Sequence, residues 1–308
     1  ALATHLPKEP APDVLRKAAE ALSSILRELS SDEVVVCLRE VVASICCAVS
    51  SAVHAVGVAS VALASGSASE AIAARDSARL AVAALLSALA AAAASATDHF
   101  APLAAEAGAS LLPLLRASPG GGDGACVAAL TPAVLASCLD AAGAIVASAW
   151  DQPQFKSLRE EMTAFARRAV ADTEAPSEVR ASAHSFFASL ALASFDDFAP
   201  FLGFAIEAAV QALRTTEAET ERAKGLRRVV RTGTHEERIA AISALGAYAA
   251  VGGFAMHLHT VLQVLCNEVR SPSGEVREAS AGALERIGRL LDGVAQGALA
   301  AGGSDRPA

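Results

Sequence analysis

A chain of 308 residues with a net charge of −8 is a poor candidate for a nucleic-acid binder and is better matched to a basic partner. Apolar residues make up 53% but aromatics only 4%, and alanine supplies most of the difference. Alanine favours helix, while the β-branched runs and Asn-Gly turns of sheet proteins are nearly absent, so helices are predicted almost throughout.

The first residues, Ala1 to Pro12, hold three prolines and read as a helix end plus a loop. The chain opens without Met and without a signal peptide, so a missing N-terminus is expected. Asp13 is placed to cap a helix over Val14–Leu29. Ser31-Asp32-Glu33 starts a second helix, which runs through a stretch with no charge between Glu40 and Glu70. Val41–Ala64 is long enough to cross a membrane. Its serines, His54 and alanines give little transfer energy, however, so one buried helix, or two joined near Gly57, is the reading and no membrane is expected. Gly66 to Ser69 ends it. Glu70–Ala96 reads as helix, continuous or interrupted, and leads into Phe100-Ala101-Pro102-Leu103. The helix that follows, to Ala117, contains Pro113, which predicts a kink or an early stop. Ser118 to Gly124 is a flexible loop. Its three consecutive glycines lack the Gly-Lys-Ser/Thr and the preceding strand of a phosphate loop. Thr131-Pro132 caps and opens a helix to Trp150, and Phe155–Ala171 is its partner.

Residues 177–214 show the organising unit best. Val179, Ala183, Phe186, Phe187, Leu190 and Ala193 fall at helical spacing, as do Leu202, Ala205, Ile206, Ala209, Val210 and Leu213. Between the two stripes lies a corner, Asp196-Asp197-Phe198-Ala199-Pro200, in which either aspartate is placed to cap the second helix. The corner recurs at Phe100, at Phe155 and at Phe254, with intervals of 55, 43 and 56 residues. Helix pairs at roughly 40–47 residues mark HEAT or armadillo arrays. The predicted fold is therefore all-α, an α-α superhelix of the HEAT/armadillo type built from antiparallel helix pairs. It covers 1–300 as a single solenoid of five to six pairs, clearest at 80–117, 129–172, 177–214 and 235–271, with 301–308 a disordered tail. Thr215–Arg231 is the most polar segment and reads as an exposed loop or short helix. Its basic run, with Lys224, Arg227 and Arg228, lacks interleaved aromatics and reads as solvated. Glu236–Val251 and Phe254–Arg270 form the next pair, and Glu275–Leu291 is the last clear helix.

No reaction chemistry can be assembled. The six cysteines, Cys37, Cys46, Cys47, Cys126, Cys138 and Cys266, show no zinc or disulfide spacing and read as small core residues in a reducing compartment. His257 and His259 fall on different helix faces, so no metal pair is expected. Without a Ser-His-Asp or Cys-His pattern the chain is expected to be neither an enzyme nor the holder of a cofactor.

The repeat residues resemble a known family. Glu178, Arg180, His184, Phe186 and Phe187, followed by Phe198, Ala199 and Leu202, are similar to a HEAT unit of importin-beta-type karyopherins, most like the importin-four-like branch. Val230, Arg231, Thr232, Gly233 and Glu237, then Ala240, Ala241, Ala244, Leu245 and Gly246, resemble the next unit. Leu2 to Pro10 is similar to a helix end in the middle of the same family. The resemblance covers 177–290 well, 80–172 in patches and the earlier residues thinly. The family's long acidic insert is reduced here to Glu217, Glu219 and Glu221. The family's N-terminal repeats, which bind the Ran GTPase, have no counterpart, so Ran binding stays open, and the chain reads as a central piece or a divergent relative.

Positions +5, +9, +13 and +16 from each corner Phe share one face of the second helix. They are Gly203, Glu207, Gln211 and Arg214 after Phe198, and His259, Gln263, Asn267 and Arg270 after Phe254. The resemblance places second helices on a concave, partner-binding surface. It implies a receptor that carries protein cargo with basic segments between cytoplasm and nucleus. A HEAT scaffold or assembly subunit without a transport role is the alternative.

Overall fold

A computed structural model describes residues 31–65, 68–117, 124–219, 227–231 and 233–302, together with a few positions between 17 and 25. Residues 1–16 and 303–308 lie outside the described residues, and with them the N-terminal loop and most of the tail. The helix expected over 14–29 is described only at Lys17, Glu20, Ala21, Ser24 and Ile25, which are helical. The chain divides into two compact units, Ala1–Phe186 and Phe187–Ala308.

In the first unit, α1 (Ser31–Ala64) and α2 (Ala68–Ser95) form a long antiparallel pair. Gly57 does not break α1. Its missing Cβ lets α4 (Gly124–Ala129) approach, because a Cβ there would stand 2.7 Å from that of Ala125. Arg79 Nε and Nη2 donate to the Ala128 carbonyl near the end of α4, at 2.9 and 2.6 Å. Helix α3 (Ala104–Arg116) runs through Pro113 to Arg116, so the early stop expected there does not occur. Proline so near the end forfeits one helical hydrogen bond and is tolerated while neighbours hold the turn. Helix α4 was not foreseen. Gly124, read as the end of a loop, is its first residue, and 118–123 lie outside the described residues.

Helix α5 (Pro132–Ser148) begins as read, with the Thr131 hydroxyl accepting from the Val134 N–H at 3.2 Å. Its partner α6 is Lys156–Ala171. The α2 and α5 helices pack together, as do α3 and α6. First helices thus contact first helices and second contact second, the stacking mode of a repeat array.

Helix α7 (Ser177–Ser194) contains the boundary between the units. In the second unit it is followed by α8 (Ala199–Ala212), α9 (His235–Tyr248), α10 (Leu258–Glu268) and α11 (Gly274–Gly302). The last helix overruns the expected tail by two residues. Between α8 and α9 the expected loop or helix is a two-stranded antiparallel hairpin, β1 (Thr215–Glu219) with β2 (Arg227–Arg231), in the register Glu217↔Val229. The pairs Thr215-Thr216 and Val229-Val230 carry the β-branched residues that favour such a pairing.

The corners share one design. Phe100, Phe155, Phe198 and Phe254 are all buried, and each lies in a short turn that leads into a second helix. Neither Asp196 nor Asp197 is the N-cap residue of α8. They lie within the 3-10 turn Phe195–Phe198, and α8 starts after Phe198 with no side-chain cap. A second recurring device closes the linkers. Arg180 Nη1 donates to the carbonyls of Thr173 (3.0 Å) and Ala175, and Arg277 Nη1 to those of Ser271 (2.8 Å) and Pro272 (3.0 Å). The repeated Glu-Val-Arg thus marks an arginine that folds back on the preceding turn.

Candidate partner-binding face

The face is built by helix period. On α8, Leu202, Ala205, Ile206 and Ala209 are buried, so Gly203, Glu207 and Gln211 face solvent, and Arg214 is exposed just past its end. On α10, Val261 and Leu265 are buried, leaving His259, Gln263 and Asn267 exposed, with Arg270 exposed beyond the last turn. Because α8 and α10 pack side by side, the two stripes belong to neighbouring helices of one unit. Three amides lie in these stripes. Each offers both a donor and an acceptor, the complement of an extended peptide backbone.

The equivalent positions in the first unit differ. On α3 they are Ala105, Ala109, Pro113 and Arg116, and on α6 Glu160, Ala164, Arg168 and Ala171. Arg116 binds Glu161 in a fork, with Nε to Oε2 at 2.9 Å and Nη2 to Oε1 at 2.7 Å, tying α3 to α6 across an exposed surface. Pro113 lines a half-open pocket of 210 Å³ with Val49, Val53, His54, Ser110 and Cys126.

Behind the stripe lies a polar junction that the sequence did not announce. The Ala212 carbonyl, at the end of α8, accepts from the Gly233 N–H at 3.1 Å and from Arg238 Nη1 at 3.3 Å. A Cβ on Gly233 would stand 2.5 Å from that carbonyl oxygen, so only glycine fits. Arg238 Nη2 also binds Glu268 Oε1 at 2.5 Å, and both side chains are buried. This ion pair joins the end of α8, the start of α9 and the end of α10. It fixes how the two stripe helices lie against each other. Thr234 caps α9, its hydroxyl accepting from the Glu237 N–H at 3.4 Å. The Thr-x-x-Glu spacing of a capping box was there to be read.

Of the cysteines, Cys46, Cys126 and Cys138 are buried, but Cys47 and Cys266 are exposed, so the core reading fails for those two. Burial pushes the Cys138 thiol up to about 12. Three stretches, Glu33–Ala64, Ser69–Ser95 and Ser177–Ala212, are long and apolar enough to cross a membrane by length and composition. The third is interrupted by the Phe198 corner.

Solved structures with the same arrangement include the Kap95:Nup1 complex, at 16% identity and a TM-score of 0.61, covering 93% of this chain and 30% of that one. Importin beta in an ammonium sulfate condition matches at 15% identity and a TM-score of 0.58, covering 97% and 32%. Kap121p matches at 17% identity and 0.59, covering 94% and 26%. The chain has the helical-repeat fold of importin-beta-type receptors. It spans about a third or less of the length of these receptors. No family model matches the sequence, and a search of curated proteins gave no match.

Proposed function

We propose that this chain is a protein-binding HEAT-type array, part of an importin-beta-type receptor that carries protein cargo into the nucleus and works in cytoplasm and nucleus. In this reading the pairs over 1–300 act as one array. The observation that carries it is the exposed stripe Glu207, Gln211 and Arg214 beside His259, Gln263, Asn267 and Arg270 on adjacent second helices. The amides hold the backbone of an extended cargo segment, and Glu207 with the overall charge of −8 favours basic side chains in it. Three of the solved structures are of Kap121p bound to Pho4p, Kap121p bound to Nup53p and Kap95 with Nup1, so proteins of this fold take up other proteins. Ran is carried as a partner only by resemblance.

A lysine-rich import-signal peptide tests the reading. Retention on the chain above an acidic control, weakened several-fold by Glu207→Lys or by Gln211→Ala with Asn267→Ala, is the expected result. Equal retention of both peptides counts against transport.

The second reading, a HEAT scaffold without a transport role, draws on α1. Its exposed side carries Val36, Val58 and Val61, with no charge beyond Glu40. An exposed apolar helix side suits a permanent neighbour better than a released cargo. Stable co-purification of a partner that Val58→Asp abolishes would favour it.

A further inference from the structure

The corner before Phe198 holds a strain that its own packing does not explain. Phe195 has φ of 42°, the left-handed region that bulky side chains avoid, and it is the non-glycine residue with positive φ among the described residues. The neighbouring corner makes its left-handed step with Gly253, at φ of 88°. Glycine at 195 would serve the turn without steric cost. Core burial does not repay the strain either, since Phe195 is 53% exposed. Leu192, three residues earlier at the end of α7, is 48% exposed, and Met256, in the Phe254 corner, is 89% exposed. The two corners adjoin: Asp196 Oδ1 lies 2.8 Å from where a Cβ on Gly252 would stand. Phe198 and Tyr248 stack beneath them with ring centroids 5.4 Å apart. Asp196 and Asp197 are exposed at the same corner.

We propose that this edge is a docking surface for a protein segment whose apolar anchor residues are flanked by lysine or arginine. The anchors cover Phe195, Leu192 and Met256, and a cation meets Asp196, with Asp197 adding to the local negative charge. Backbone strain held at an exposed aromatic is a mark of function rather than of packing. The two carboxylates decide the class of partner, because they attract a basic protein segment and repel an anionic lipid surface. None of these residues belongs to the stripe on α8 and α10, so the edge can act whether or not the stripe does.

The test uses the full chain and two fluorescein-labelled synthetic peptides. One carries leucine and phenylalanine anchors among lysines. The other has the same lysines with serine at the anchor positions. Phe195→Gly should weaken binding of the anchored peptide about tenfold, as loss of a central aromatic does, and Met256→Ser should weaken it less. Neither variant should change binding of the serine peptide. The melting temperature of Phe195→Gly should equal or exceed that of the parent, since glycine relieves the backbone. Four results would overturn the proposal: no measurable binding of the anchored peptide by the parent, unchanged affinity in Phe195→Gly, a melting temperature several degrees lower in that variant, or binding of the parent to phosphatidylserine vesicles that the variant loses.

Discussion

The two units reach the same helix-pair design with different materials. Away from its corner rings Phe100 and Phe155, the first closes on small and aliphatic side chains, and glycine sets its closest approaches. A Cβ on Gly57 would meet Ala125 at 2.7 Å, and one on Gly108 would meet Phe155 at 2.9 Å. The second unit closes around rings and charge. Phe187 meets Phe198 edge-on at 6.3 Å, Phe198 stacks on Tyr248, and Arg238 pairs with Glu268 in the core. In the first case the buried fit of helix against helix is one of shape, with Arg79 on the Ala128 carbonyl and the Arg116–Glu161 fork added towards the surface. Directional contacts set that fit in the second, and that is where the polar stripe lies. A surface that must present amides at set positions gains from a core that cannot slide, while alanine-rich helices keep their register only as long as each glycine stays small.

Breaking the aromatic core should have the largest effect. Phe198→Ala removes a fully buried ring that touches three aromatic neighbours and should cost about 3–5 kcal/mol in chemical denaturation. A loss below about 1 kcal/mol would mean that the ring does not anchor the corner. The ion pair should respond asymmetrically. Glu268→Ala leaves the Arg238 charge buried without its partner and should cost about 3–5 kcal/mol. The double change Arg238→Met with Glu268→Leu should be close to neutral, because it removes the desolvation of both charges together. Equal losses in the single and double variants would show that the pair matters through packing rather than charge.

The small-residue contacts of the first unit come next. Gly57→Ala gains about 1 kcal/mol of helix propensity but forces α1 and α4 apart, at an overpacking cost of about 1–3 kcal/mol. The expected net is a modest destabilisation that Ala125→Gly reverses. A stabilised Gly57→Ala would show that the α1–α4 contact yields freely, and the contrast between the units would weaken.

What the sequence disclosed and what it hid follow the range of the interactions. The corner phenylalanines were legible because each belongs to a local pattern of ring and helical stripe, with a proline within two residues at Phe100, Phe155 and Phe198 and a Gly-Gly pair before Phe254. The faces of Glu207, Gln211, His259, Gln263 and Asn267 were legible for the same reason, since period alone sets them opposite Leu202, Ile206, Val261 and Leu265. Arg238 and Glu268 are 30 residues apart on different helices, and nothing in either neighbourhood points to the other. The hairpin was missed because charge density in 215–231 outweighed two short β-branched pairs. The early stop expected at Pro113 does not occur because the proline falls within the last helical turn. The left-handed Phe195 has no sequence signature, since the residue type argues against the conformation it adopts.

The smallest effect concerns the stripe itself. Gln211→Ala and Asn267→Ala should each change stability by less than about 0.5 kcal/mol, because both side chains are exposed on helices whose opposite faces carry the packing. In the first unit the equivalent places hold Pro113 on α3 and Arg168 on α6, so the pair design does not depend on an amide there. Alanine is also the better helix former, so a small gain is as consistent with exposure as no change. A loss of more than about 1 kcal/mol in urea would place these amides in the structural network of α8 and α10. The stripe would then be a seam between helices, and the contrast between a rigid second unit and the surface it presents would reduce to one feature instead of two.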